Sequence, residues 1–168
     1  MTATQPLIVP DFDTDTSGRT LAIICSKGNL DMAYPGLILA NSALGEGVTA
    51  HLFFTFWGFD LITKSRMRKL KFTPLGNTAT HMWQGLGGIP GMTGMATKRM
   101  RKAIASVDVP DVPEFLDQIV ASGGHLWGCR MSADMNGLTE ADLRDDVEGI
   151  ISAADFIEKT AGAQLLFI

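Results

Sequence analysis

The feature that most constrains this chain is a continuous apolar run, TLAIIC at residues 20–25, with a polar, glycine-containing break right behind it at Ser26-Lys27-Gly28-Asn29. A run without alternation suits a strand covered on both faces, and such strands belong to parallel sheets sandwiched between helices. Three further runs follow. VTAHLFFTFW (48–57) is β-branched and aromatic, GHLWGC (124–129) is a third strand, and AQLLFI (163–168) is a fourth. Between them lie stretches of helical pattern. LDMAYPGLILANSAL opens behind Asn29, a good N-cap, and closes at Gly45, with Pro35 in its second turn predicting some irregularity. GFDLITKS reads as a short helix, and VPEFLDQIVASGG is a helix capped at or near Asp111 with Pro113 in its first turn. TEADLRDDVEGIISAADFIEKTAG holds one or two acidic helices, opened by a capping signal from Thr139 to Asp142. The fold class expected is α/β: an open, mostly parallel sheet with helices on both faces, wound by right-handed crossovers.

At 168 residues the chain has the length of one domain. Residues 1–18 read as an arm and 19–168 as a single α/β domain, with an insert or flap at about 64–102. That insert separates the charges. Between Lys64 and Lys102 there are nine basic residues and no acidic one, while the rest of the chain carries five basic and eighteen acidic residues. Such asymmetry speaks of docking surfaces rather than of fold.

Within the insert, residues 72–97 form a stretch of 26 without a lysine, arginine or carboxylate, long enough to be weighed as a membrane span. Pro74, Pro90 and six glycines break it, and a lipid-exposed backbone needs unbroken internal hydrogen bonding. A flap or an oligomer contact fits better. GMTGMATKRMRKAIASV then turns helical, with Met92, Met95 or Ala96, Met100 and Ala103 along one face and Lys98, Arg99, Arg101 and Lys102 over most of the rest. This is either a surface helix with a methionine-lined inner face, or a partner or membrane-peripheral surface.

The motifs exclude more than they assign. Gly45-Glu46-Gly47-Val48-Thr49-Ala50 spells GxGxxA, but it follows a helix and opens a strand, the reverse of a dinucleotide site. Gly85 to Gly91 is glycine-rich but has Pro90 where the motif's third glycine belongs, and there is no P-loop, so no cofactor is expected. Two cysteines more than a hundred residues apart, with no CxxC, give no zinc or iron–sulfur pattern, and no metal is expected. The acidic N-terminus lacks a signal-peptide pattern and points to the cytoplasm. The aromatic residues do not interleave with the basic ones, which argues against nucleic acid.

Cys129 is the candidate that remains. It closes a strand of the expected sheet, and chemistry in open parallel sheets occurs beyond the carboxyl ends of the strands. Arg130-Met131-Ser132 would begin a turn or helix whose free N–H groups, with the guanidinium, favour thiolate over thiol. The competing reading is a buried, inert cysteine. Cys25 ends its own strand at the same edge and would be a secondary thiol if the two strands were neighbours. His125 shares a strand face with Cys129 but stands about 13 Å along it, too far for a nucleophile–base pair. His51 sits at the opposite end of its strand, and His81 lies in the insert. All three read as structural or exposed histidines.

AIICSKGNLDMAYPGLILANSALGEGVTAHLFFTFWGFDLITK, GMTGMATKRMRK, GCRMSADMNGLTEADL and the terminal AQLLFI together resemble the DsrE/DsrF-like family, most closely its DsrE2/DsrE3, peroxiredoxin-like branch. The likeness covers residues 20–168. It implies a homo-oligomer that handles sulfane sulfur, with partners among TusA-like sulfur carriers and a heterodisulfide-reductase-like complex. It implies that Cys129 holds a persulfide, with Arg130 stabilising the anion, and it carries no role to Cys25. Two alternatives remain open: a thiol–disulfide switch between Cys25 and Cys129, and a non-catalytic docking or membrane-peripheral scaffold.

Overall fold

The computed structural model describes residues 18–72 and 91–168. The expected arm up to residue 17, the centre of the insert and His81 lie outside the described residues. The elements run β1 (Thr20–Cys25), α1 (Leu30–Gly45), β2 (Thr49–Phe54), a 3-10 turn (Phe56–Leu61), a second (Met67–Lys69), α2 (Met92–Ala105), α3 (Val112–Ala121) and β3 (His125–Cys129). They continue with α4 (Arg130–Asn136), a 3-10 turn (Glu140–Asp142), β4 (Gly149–Ile151), α5 (Ala153–Lys159) and β5 (Gln164–Phe167).

The five strands form one sheet in the order β4-β3-β2-β1-β5, and every pairing is parallel. The α/β class expected from the apolar runs is therefore what the chain adopts. Because all strands share one direction, their carboxyl ends line a single edge. In register there, Cys25 faces Phe54, Phe54 faces Gly128, and Cys129 faces Ile151.

The two faces are covered unequally. On one, α1 and α3 pack together over the sheet and bury Ile23, Leu37, Leu52, Leu116, Ile119 and Leu126. The other holds a smaller cluster of Ala22, Phe53, Trp127, Cys129 and Phe156. Phe156 of α5 stacks on Phe53 with ring centroids 4.6 Å apart.

Local chemistry explains the starts of two helices. Asp111 accepts from the Glu114 N–H while the Glu114 side chain accepts from the Asp111 N–H, closing a capping box at the start of α3. Ser152 and Asp155 do the same for α5. α1 runs through Pro35 without a break, although a proline there removes one internal bond and crowds the preceding turn.

Two expectations need correction. β2 stops at Phe54 instead of Trp57 because Phe56 turns the chain with φ 47, a left-handed conformation costing on the order of 1 kcal/mol in a residue with a Cβ. The stretch 139–162, expected to be helical, contains a 3-10 turn, the short strand β4 and a single helix. β4 has three residues, too few for a periodicity to register.

Candidate functional site

Cys129 occupies the last position of β3 and the N-cap of α4, so the chain changes direction at the residue that carries the sulfur. Its side chain lies on the α5 face and is 4% exposed. The sulfur is thus placed at the carboxyl edge but covered, where an open position was expected. Four polar groups in its surroundings act on it: the Thr55 hydroxyl, the Ser132 hydroxyl, and the Met131 and Ser132 N–H groups. Burial pushes the thiol up, the largest single effect. These polar groups together outweigh it and hold the thiol below its ordinary value.

Thr55 and Ser132 come from opposite parts of the chain. Thr55 follows β2, and its N–H donates to the Cys25 carbonyl at 3.0 Å. Ser132 is in the first turn of α4 and is fully buried. Their hydroxyl oxygens lie 3.2 Å apart, and the Phe56 N–H donates to the Ser132 hydroxyl oxygen at 2.7 Å. With that oxygen accepting from Phe56, the Ser132 proton is directed to Thr55 or to the sulfur. A chain of donors therefore runs from the strained Phe56 peptide towards Cys129. Gly58 makes the turn fit, because a Cβ there would lie 2.0 Å from the Cys25 carbonyl oxygen.

Arg130 takes a different course from the one expected. Its guanidinium donates to the Ile150 carbonyl of β4 instead of facing the sulfur. Cys25 is buried in the opposite cluster, packed beneath α1, and a Cβ on Gly36 would lie 3.2 Å from its sulfur. Burial alone pushes its thiol up to about 12. β2 separates β1 from β3, which puts the two cysteines about 9–10 Å apart across the sheet, beyond the ~7 Å Cα separation a disulfide spans. They also point to opposite faces. An internal Cys25–Cys129 bond is ruled out in this fold.

The histidines form a separate group. His51 and His125 pair across β2 and β3 with rings stacked 4.4 Å apart. The Trp127 indole N–H donates to His51 Nδ1 at 3.3 Å, and His125 bonds Glu148. Burial first, then the neighbouring His125, holds His51 below the ordinary histidine value despite the opposing pull of Glu148. All these groups lie along the strands from Cys129, towards their amino ends. Among the described residues no three His, Cys, Asp or Glu side chains are grouped to hold a metal ion.

α2 presents Met92, Ala96, Met100 and Ile104 inwards, none of them fully buried, while Met95 is 63% exposed. Arg101 ties it to the preceding segment by donating to the Arg68 and Leu70 carbonyls, and the Thr97 hydroxyl accepts from the Phe72 N–H.

Sequence reasoning found the cysteine and the N–H groups after it, but it missed Thr55 and Ser132 as its neighbours. The only trace was a hydroxyl residue close behind each of two strand ends, Thr55 one residue after β2 and Ser132 three after β3.

The DsrE/DsrF/DrsH-like family matches residues 17–168. The sulfur carrier protein DsrE2 of Allochromatium vinosum is 35% identical over 146 residues, covering 82% of this chain and 91% of that protein. The uncharacterized protein YrkE of Bacillus subtilis is 28% identical over 160 residues, covering 92% and 99%. Among solved structures, the protein of unknown function MTH1491 from Methanobacterium thermoautotrophicum superposes with a TM-score of 0.51 over 89% of this chain and 99% of that one. At 9% identity that likeness is one of fold.

Proposed function

Because the chain belongs to the DsrE/DsrF/DrsH-like family, we propose that it is a sulfur-trafficking protein that accepts sulfane sulfur on Cys129 and passes it to an acceptor protein thiol. The observation that carries the reading is the placement of Cys129 at the carboxyl edge of the sheet. Two hydroxyls and two backbone N–H groups there favour its anion and lower the thiol.

The chemistry needs no cofactor. The Cys129 thiolate attacks the outer sulfur of a donor persulfide R–S–SH. The donor S–S bond breaks, R–S⁻ departs and takes up a proton, and Cys129–S–SH remains. An acceptor thiolate then attacks the outer sulfur, returning Cys129 to thiolate. The donor groups that lower the thiol also make Cys129 a good leaving group in the second step. With Cys129 4% exposed, transfer requires a local opening, and the Phe56 turn is the strained element beside it.

The same reading includes partners. Acceptors of the TusA type, and a heterodisulfide-reductase-like complex, would meet the basic segment of Lys64 to Lys102. Arg130 would contribute through β4 and not by touching the sulfur. Self-association would use β5, an edge strand on which Leu165 is 50% and Phe167 71% exposed beside Ile24. Among the described residues no helix is long and apolar enough to cross a membrane. The cytoplasm, where thiols stay reduced, is the compartment this chemistry needs.

Mass spectrometry after incubation with polysulfide tests the assignment. Added mass in steps of about 32 Da, one sulfur atom each, is expected on the Cys129 peptide and absent from Cys129→Ser. Equal loading of that variant would refute the assignment.

A further inference from the structure

A cavity of about 420 Å³ opens on the same side of the sheet as the strand ends, and nothing in the reaction above uses it. Its walls are Asn29 behind β1, Asp60 at the turn behind β2, then Arg66, Lys69 and Lys71, and Thr93 at the start of α2. Asp60 is bonded to Arg66 at 2.8 Å, so this pair is neutral. Lys69 and Lys71 are exposed and pair with no carboxylate among the described residues. Thr93 brings the start of α2 to the cavity without a side-chain cap, whereas at the start of α1 the Leu30 N–H already donates to the Lys71 carbonyl and Asp31 stands in the first turn. The α2 start and the ammonium groups of Lys69 and Lys71 favour the same sign of charge, so the space favours an anion. Its volume is several times that of an inorganic oxyanion and lies in the ordinary range for organic ligands, about 300–1,000 Å³. Phe72 supplies an apolar wall.

The cavity is tied to the sulfur site. Arg66 donates to the Asn136 side chain at 3.5 Å, and Asn136 donates to the Ser132 carbonyl at 2.8 Å. Gly28 packs against the Trp57 carbonyl, next to the Phe56 turn that bonds Ser132.

We propose that this cavity recognises the carboxylates of a low-molecular-weight thiol of about tripeptide size, whose persulfide delivers sulfur to Cys129. The inference rests on the persulfide reading for its second half and on charge and volume for its first. The step is the one already written, with R–S⁻ as the departing thiolate.

Two measurements separate the halves. The first is calorimetric titration of the full-length Cys129→Ser protein with glutathione, a tripeptide thiol with two carboxylates, and with its diethyl ester. Glutathione is expected to bind at least about tenfold more tightly than the ester. Lys69→Glu/Lys71→Glu should remove that preference, and Lys69→Gln/Lys71→Gln, which cannot repel, should reduce it. Equal binding of acid and ester, or a preference untouched by both double variants, overturns the proposal. The second is loading of Cys129 from glutathione persulfide relative to polysulfide. That ratio should fall at least about tenfold in Lys69→Glu/Lys71→Glu, and an unchanged ratio overturns the delivery role. Failure of the intact protein to load from polysulfide would instead remove the persulfide reading, while the titration still judges the cavity.

Discussion

Cys129 and Cys25 are the same residue type at the ends of two strands of one sheet, yet their thiols move in opposite directions. Burial acts on both. Only Cys129 has Thr55, Ser132 and Met131 to answer it, so it lies below its ordinary value while Cys25 rises to about 12. The signs have consequences. The anion of Cys129 is favoured by the fold; its contribution to stability is present above the thiol's unfolded value and fades as pH falls through the folded one. Cys25 contributes below the ordinary thiol range, and that contribution is lost as pH rises towards about 12. Removing one donor, by Ser132→Ala or Thr55→Val, should move the pH–rate curve for alkylation of Cys129 to higher pH. At neutral pH the rate should fall about three- to tenfold, the value of one charge-assisted hydrogen bond. Curves that overlay the parent's would show that the hydroxyls do not hold the anion. The Cys25 peptide should stay unmodified throughout. That a cysteine ends β3 was legible in GHLWGC followed by polar residues. Its two hydroxyl neighbours were not, since 77 residues separate Thr55 from Ser132.

At the scale of elements, the turn from Thr55 to Leu61 is what brings β2 to bear on the site. FFTFWG reads as a strand by propensity, because phenylalanine, threonine and tryptophan all favour one. The Phe56 turn that ends the strand is accommodated by contact: Gly58 sits against the Cys25 carbonyl, and only a residue without a Cβ can approach so closely. Gly58→Ala should therefore cost at least about 2 kcal/mol in denaturant unfolding and slow Cys129 alkylation with it. Gly45→Ala is the control. It lies at the end of α1 with open space around its Cβ position, and should stabilise by about 0.5–1 kcal/mol. Similar effects from the two substitutions would mean that the close approach at Gly58 is not what shapes the turn. Helices announced themselves better than turns. The cap at Asp111 is legible in the local sequence and opens α3, whereas the Thr139 signal opens only a 3-10 turn and β4 forms only because β3 offers it a ladder.

For the whole molecule, the unequal covering of the sheet is the feature with most consequence. α1 and α3 close one face; on the other, α5 covers β2 and β3 through Phe156 and leaves Leu165 and Phe167 of β5 exposed. If that strip joins copies of the chain, Leu165→Glu/Phe167→Glu should lower the mass found by sedimentation to that of one chain while leaving the circular dichroism unchanged. An unchanged mass would place any assembly elsewhere. The division between what the chain announces and what folding adds follows from the range of the forces. Apolar runs, capping residues and a cysteine at a run's end are local patterns, and they sufficed for an α/β sheet and for placing Cys129 at the end of a strand. Strand order, the face each cysteine occupies, the cover over the sulfur, the course of Arg130 and the meeting of Thr55 with Ser132 depend on contacts between distant segments. They are settled only when β2 is laid between β1 and β3 and one face of the sheet receives two packed helices while the other receives α5.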